Sequence, residues 1–286
     1  MNLYVLVLVL TAAVLHASWN LLAKKTKGKT PFIWLQYAVG NFLYLPFLVF
    51  QPNLKHDLNS LPLLMFSLSS AVIHLGYFTI LQKGYRNADL SVVYPLARGS
   101  APLISFIAAI IFLHEQLKVS SVAGLLLIIA GVLIITGLSF NKNNSKIITG
   151  INYGLLTGLF IALYSFNDAV AVKRYGISPL ILTLATNFFS TILLLPFVLR
   201  QKAEIKREIK MHKWVIIAVA VLSPAAYILV LEALKYAPLS VVAPARETSI
   251  LLGVFMGSKV FKEEDGKRRL VASILILGGI VALSLS

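Results

Sequence analysis

The amino-acid sequence predicts an all-α membrane protein of ten transmembrane helices, arranged as two inverted five-helix repeats. Three observations carry the prediction. The first is composition: 58% of the 286 residues are hydrophobic and 13% are charged, against about 45–50% and about 25% in a soluble domain. The charges collect in short clusters between apolar runs of about 20 residues, the length that crosses roughly 30 Å of hydrocarbon. The second is an internal repeat. Asp89-Leu90-Ser91-Val92-Val93-Tyr94-Pro95-Leu96-Ala97-Arg98 is echoed by Pro238-Leu239-Ser240-Val241-Val242-Ala243-Pro244-Ala245-Arg246-Glu247, and a long apolar run follows each copy. The third is the way basic residues alternate between successive connections.

Taken in order, span one covers about 3–23 and is closed by Lys24-Lys25. No basic region precedes it and no small-x-small cleavage site follows it, so it reads as a retained helix rather than a leader. Span two, about 31–50, starts at Pro31, and span three, about 62–82, starts at Pro62 and ends at Lys83. Span four, about 91–112, is closed by His114-Glu115, and span five, about 120–140, by Asn141-Lys142. These five form a first repeat over residues 1–140. The second repeat, 148–286, holds spans at about 148–171, 178–199, 214–234, 240–258 and 269–285. Basic clusters from Lys173, Arg200, Lys235 and Lys259 onward punctuate them. No connection is long enough for a soluble domain.

The repeat extends beyond the shared Leu-Ser-Val-Val-x-Pro. Ser18-Trp19-Asn20 answers Ser165-Phe166-Asn167, and His114-Glu115 answers Glu263-Glu264, all at an offset of about 147–149 residues. Of the 26 Lys and Arg, 19 fall in the odd-numbered connections and 5 in the even-numbered ones. The positive-inside bias then puts the odd connections in the cytoplasm and both termini outside. Five spans per repeat is an odd number, so the second repeat inserts upside-down. Inverted repeats of this kind belong to secondary transporters, whose substrate sites lie near the midplane between the repeats.

The same residues exclude several other classes. A net charge of +15 would suggest nucleic acid in a soluble protein, but here it reflects basic loops against anionic lipid. There are no cysteines, hence no disulfide framework or thiol chemistry. No phosphate-binding Gly-x-x-x-x-Gly-Lys motif occurs, which leaves a proton or substrate gradient as the energy source. His16, His74 and Asp168 are scattered over three spans without metal-ligand spacing, and no Gly-x-Ser-x-Gly occurs. Neither a metal, a cofactor nor an enzymatic role is expected.

Ionisable residues inside a span are expensive and ask for a reason. Arg98 stands about 10 Å into span four at 1.5 Å per residue, and Arg246 and Glu247 stand at a similar depth in span nine. Adjacent helical side chains point about 100° apart, so Arg246 and Glu247 should need different partners. Asp168 is the strongest single candidate for substrate or proton binding, and Glu232 near the end of span eight completes the acid set. His16, Trp19 and Asn20 cluster in span one, with His16 and Asn20 at i, i+4. Tyr164, Asn167 and Asp168 are their counterpart in span six. His74 and Tyr77 repeat the His-to-aromatic spacing in span three, and Tyr94 adds to the aromatic rim. Pro95 and Pro244 each remove a helical amide donor and are candidate kinks. Gly124, Gly131, Gly137, Gly278 and Gly279 suit close helix packing, either between the repeats or in a homodimer. Glu115 and Glu264 read as interfacial and structural.

In these motifs the chain resembles the EamA-type branch of the drug/metabolite transporter superfamily. The resemblance covers essentially the whole chain and rests on His16-Ala17-Ser18-Trp19-Asn20, the run from Asp89 to Gly99, and Arg246-Glu247-Thr248-Ser249. It implies a central cavity lined by spans one, three, four, six, eight and nine, with five and ten at the back. It also implies transport of amino acids, metabolites or drugs, mostly by export. Better-known members are drawn with both termini in the cytoplasm, and the basic residues here argue for the opposite. The expectation is therefore a plasma-membrane transporter of a small polar or amphipathic solute, with a proton as candidate coupling ion. Its partners are the substrate and the bilayer, and nucleic acid is not among them. A flippase for a lipid-linked sugar or phosphate is the alternative.

Overall fold

The computed structural model describes residues 2–24, 30–51, 54, 58, 60–88, 90–114, 119–136, 145–249 and 266–284. Every regular element among them is helical. Helix α1 spans Leu3–Lys24 and α2 spans Thr30–Tyr44. Pro46 lacks the amide that would continue the ladder, and the chain tightens into a 3₁₀ turn over Leu45–Phe50. Helix α3, Leu61–Asn87, is capped by Ser60, whose hydroxyl accepts from the Leu63 amide at 3.3 Å and satisfies one free donor of the first turn. Helices α4, Leu90–Leu113, and α5, Val119–Thr136, follow. Helix α6, Ser145–Tyr175, ends where Gly176 turns to φ +66° and the Ile177 amide donates back to Ala171 at 3.2 Å, a closure that favours glycine. The remaining helices are α7, Pro179–Leu199, α8, Lys202–Tyr236, α9, Leu239–Arg246, and α10, Gly266–Ser284.

Six helices among the described residues are long and apolar enough to cross a membrane: Leu3–Ala23, Thr30–Phe50, Leu61–Leu81, Ile148–Tyr175, Pro179–Leu199 and Lys202–Tyr236. They coincide with expected spans one, two, three, six, seven and eight. Gly99–Leu113 and Ser120–Gly131 are apolar but shorter. Residues 250–265, the later part of expected span nine, lie outside the described residues together with Glu115, Gly137 and Glu264.

Helix α8 departs from the sequence expectation. Residues 200–213 look like a loop by hydropathy, yet the helix begins at Lys202. Ala, Glu, Lys, Arg and Met are strong helix formers, and Ile205 packs against the cluster of Phe32, Ile33 and Ile216. The direction changes at His212, whose φ of −130° and ψ of 18° are non-helical. The helix through Pro95 runs on without interruption, and Pro244 sits in the last turn of α9 before the chain turns at Glu247.

The bundle is built from crossings of α1 on α8, α3 on α6, α2 on α7 and α8, α3 on α7, and α4 on α6 and α9. At the back, α5 lies along α10, and here the small residues find their use. A Cβ on Gly279 would sit 2.6 Å from the Gly124 carbonyl oxygen, and one on Gly131 would sit 2.8 Å from that of Ala272. These glycines let the two backbones touch inside one chain.

Two apolar clusters lie toward opposite ends of α1. Val5, Leu8 and Val9 of α1 join Val172, Ile181, Leu231, Leu234 and Val242 in the larger one. Phe32, Ile33, Leu35, Ile216 and Val219 form the smaller one, with Trp19 and Leu22 against it. Helix α1 thus runs from one cluster to the other, and its middle, from Ala12 to Asn20, faces the space between them.

Candidate functional site

That space is a cavity of about 170 Å³. Its wall is drawn from α1, α2, α3, α6, α7, α8 and α9, so both halves of the chain contribute. His16, Trp19 and Asn20 come from α1, His74 and Tyr77 from α3, Tyr164 from α6 and Arg246 from α9. The periodicity explains the grouping: polar residues three or four apart on an otherwise apolar helix share one face, and the face that avoids lipid is the cavity.

The rings lock one another. His74 stacks on Tyr164 with centroids 4.0 Å apart, and Tyr227 meets both edge-on at 5.8 and 6.2 Å. His74 Nδ1 lies 2.9 Å from the Ser70 carbonyl, which orients the imidazole. His16 meets Trp19 edge-on at 5.0 Å. The Arg246 guanidinium stands 5.8 Å from the Tyr164 ring centroid, a cation–π arrangement.

The acids stand behind this wall. Asp168 is completely buried, and as a carboxylate it accepts from three donors. Ser70 Oγ donates to Oδ2 at 3.0 Å, Asn167 Nδ2 donates to Oδ1 at 2.8 Å, and the Tyr227 hydroxyl donates to Oδ2. Asn167 is itself held by Ser69 at 2.8 Å and the Phe66 carbonyl at 3.0 Å. Tyr227 therefore connects the buried acid to the cavity, because its ring is part of the wall. Glu247 is also fully buried. Its Oε1 lies 3.7 Å from Arg246 Nη2, so the two neighbours also approach one another.

Other expected residues are placed differently. Glu232 stands apart, paired with Lys235 at 2.8 Å, one turn along the same helix. The side chains of Tyr94, Pro95 and Arg98 lie outside the described ones. The wall also holds residues that the sequence did not single out: Gln36 and Tyr37 on α2, Thr183, Thr186 and Asn187 on α7, and Ser223, Pro224 and Tyr227 on α8. Helices α2 and α7 are thus additions to the set of lining spans that the resemblance implied. Thr183 and Asn187 stand at i, i+4, a spacing that could have drawn attention. Arg246 is the one charged residue among the described lining residues.

Comparison with known proteins agrees with this architecture. Residues 3–137 match the EamA-like transporter family, and residues 148–285 match it again. The chain is 31% identical over 136 residues to the uncharacterized transporter YvbV of Bacillus subtilis (strain 168). That match takes in 45% of this chain and 43% of the relative, so it spans less than half the length of the curated relative. A solved crystal structure aligns over 100% of this chain and 98% of its own, with a TM-score of 0.76 at 14% identity, a likeness of fold. With two family matches that together take in nearly all its residues, and helices long enough to cross a bilayer several times, the chain is a multi-pass membrane protein that belongs to the EamA-like transporter family.

Proposed function

We propose that the protein is a secondary transporter that moves a small polar or amphipathic metabolite across the plasma membrane by alternating access. The observation that carries this reading is the polar and aromatic cavity at mid-bundle with an apolar cluster at each end. A polar space inside a lipid-embedded bundle is costly unless something polar occupies it. A cluster at each end is what two gates require.

We read the chain as ten spans in two inverted repeats, 1–140 and 148–286. The packing supports this, because exchanging α1 with α6, α2 with α7, α3 with α8, α4 with α9 and α5 with α10 turns several of the main crossings into one another. The α1–α8 crossing becomes α6–α3, α2–α8 becomes α7–α3, and α5–α10 maps onto itself. The positive-inside bias puts both termini outside, and the helical extension with Lys202, Lys206, Arg207 and Lys210 adds to the cytoplasmic charge. In that orientation the larger apolar cluster faces outward. The cavity, about 170 Å³, is below the roughly 300–1,000 Å³ of drug-sized sites, which favours a solute of amino-acid size. A proton or substrate gradient supplies the energy, and export is the direction the family resemblance favours.

Purified protein in proteoliposomes tests this. Preloaded unlabelled substrate should drive uptake of its labelled copy, and Arg246→Ala should lose that exchange while still inserting. Equal movement in empty and protein-bearing vesicles, across amino acids, organic acids, polyamines and lipid-linked sugars, contradicts the reading.

A further inference from the structure

We infer that the cavity takes a small organic oxyanion, a carboxylate or a phosphoryl group on a compact body. The inference rests on the cavity being the transport site and names what it holds. Three wall groups point the same way. Arg246 is the one charged residue among the described lining residues, and no Asp or Glu stands beside it there. Trp19 Nε1 and Thr186 Oγ1 are buried atoms with no hydrogen-bond partner among the described residues. Thr186 is only 6% exposed, and both residues are part of the wall.

The chemistry of these groups decides the sign of the ligand. An indole N–H and a guanidinium can only donate, and a hydroxyl can donate as well. An unmet buried donor costs free energy until an acceptor arrives. A wall that presents donors and a positive charge is complementary to an acceptor-rich anion.

The acids do not reverse this balance at the wall. Asp168 is turned inward, and its oxygens already accept from Ser70, Asn167 and Tyr227. Glu247 approaches Arg246 at 3.7 Å, longer than a hydrogen bond, and a guanidinium has five N–H donors to share. Trp19, Tyr37 and Tyr77 are also part of the wall, where they would meet the body of the solute.

The test compares anions with neutral and cationic molecules of the same skeleton, read as the melting temperature of the purified full-length protein. Benzoate is set against benzamide and benzylamine, and lactate against lactamide, with inorganic phosphate as the arm for a phosphoryl head. A ligand that binds only the folded state raises the melting temperature with its concentration. Benzoate, lactate or phosphate should do so at millimolar concentration, and their uncharged and cationic counterparts should not. Which of the three acts identifies the head group. Trp19→Phe keeps the ring and deletes the N–H, so it should weaken the anion by roughly tenfold or more, and Thr186→Val should weaken it in the same direction.

An equal or larger shift with benzamide or benzylamine overturns the inference, as does no shift with any anion, or full anion affinity in both Trp19→Phe and Thr186→Val. Flux separates this from the transport reading. An anion that binds but is never moved by the protein supports the oxyanion site and contradicts transport. Movement of amines or neutral solutes without any anion keeps transport and overturns the oxyanion site.

Discussion

Asp168→Asn should abolish transport in a protein that still inserts into the membrane, and should lower its melting temperature. The expectation follows from the three donors that converge on the carboxylate from α3, α6 and α8: Ser70, Asn167 and Tyr227. The amide has the same shape but only one acceptor oxygen, so at least one donor is left facing an NH₂ group. Hydrogen bonds to a charged partner are worth about 1.5–3 kcal/mol each, and the loss falls where no water can compensate. Tyr227 is the partner whose release matters most, because its ring is part of the cavity wall and packs on His74 and Tyr164. Tyr227→Phe removes one of the same bonds from the other side, so the two changes together should be less than additive. Wild-type flux in Asp168→Asn would take this network out of the transport mechanism.

Arg246→Ala should cost both stability and transport, and the two losses can be separated. Removing the guanidinium takes from the buried Glu247 the ion-pair partner at 3.7 Å, a loss of up to about 3–5 kcal/mol for a buried charge that loses a partner. Adding Glu247→Ala removes the buried carboxylate as well, so the double variant should melt above Arg246→Ala. If Arg246 contacts the solute, the double variant regains stability while flux in proteoliposomes stays at least about a hundredfold below wild type. That factor is what about 3 kcal/mol of lost binding corresponds to. If Arg246 only holds Glu247, flux returns together with the melting temperature.

Much of this could be read from the residues because hydrocarbon is an unforgiving solvent. A His, Arg or Asp inside a 20-residue apolar run is expensive and therefore conspicuous. Of the expected site residues, His16, Trp19, Asn20, His74, Tyr77, Tyr164 and Arg246 line one cavity. Depth was not legible. Asp168 and Glu247 stand behind the wall because helix crossings, not sequence spacing, decide which side of a helix is innermost. Gln36, Thr183, Thr186, Asn187 and Ser223 were missed for a different reason. Neutral polar side chains carry small insertion penalties, and Thr183 is satisfied on its own helix by donating to the Pro179 carbonyl at 2.7 Å. The helical start of α8 was hidden because hydropathy reads Lys, Glu and Arg as loop while their backbone preference is helical. The spacing of the glycines announced close packing but not the partner, and the α5–α10 contact supplies it.

The central claim is that one cavity opens to each side of the membrane in turn. The sequence contains no cysteine, so a single cysteine introduced as Ser223→Cys in the cavity wall is the sole thiol and nearly matches serine in size. A membrane-impermeant thiol reagent is applied to vesicles of each orientation, with and without substrate. The account predicts modification from both faces, with substrate slowing it on each. Reactivity from one face alone under every condition, or from neither, would contradict alternating access through this cavity.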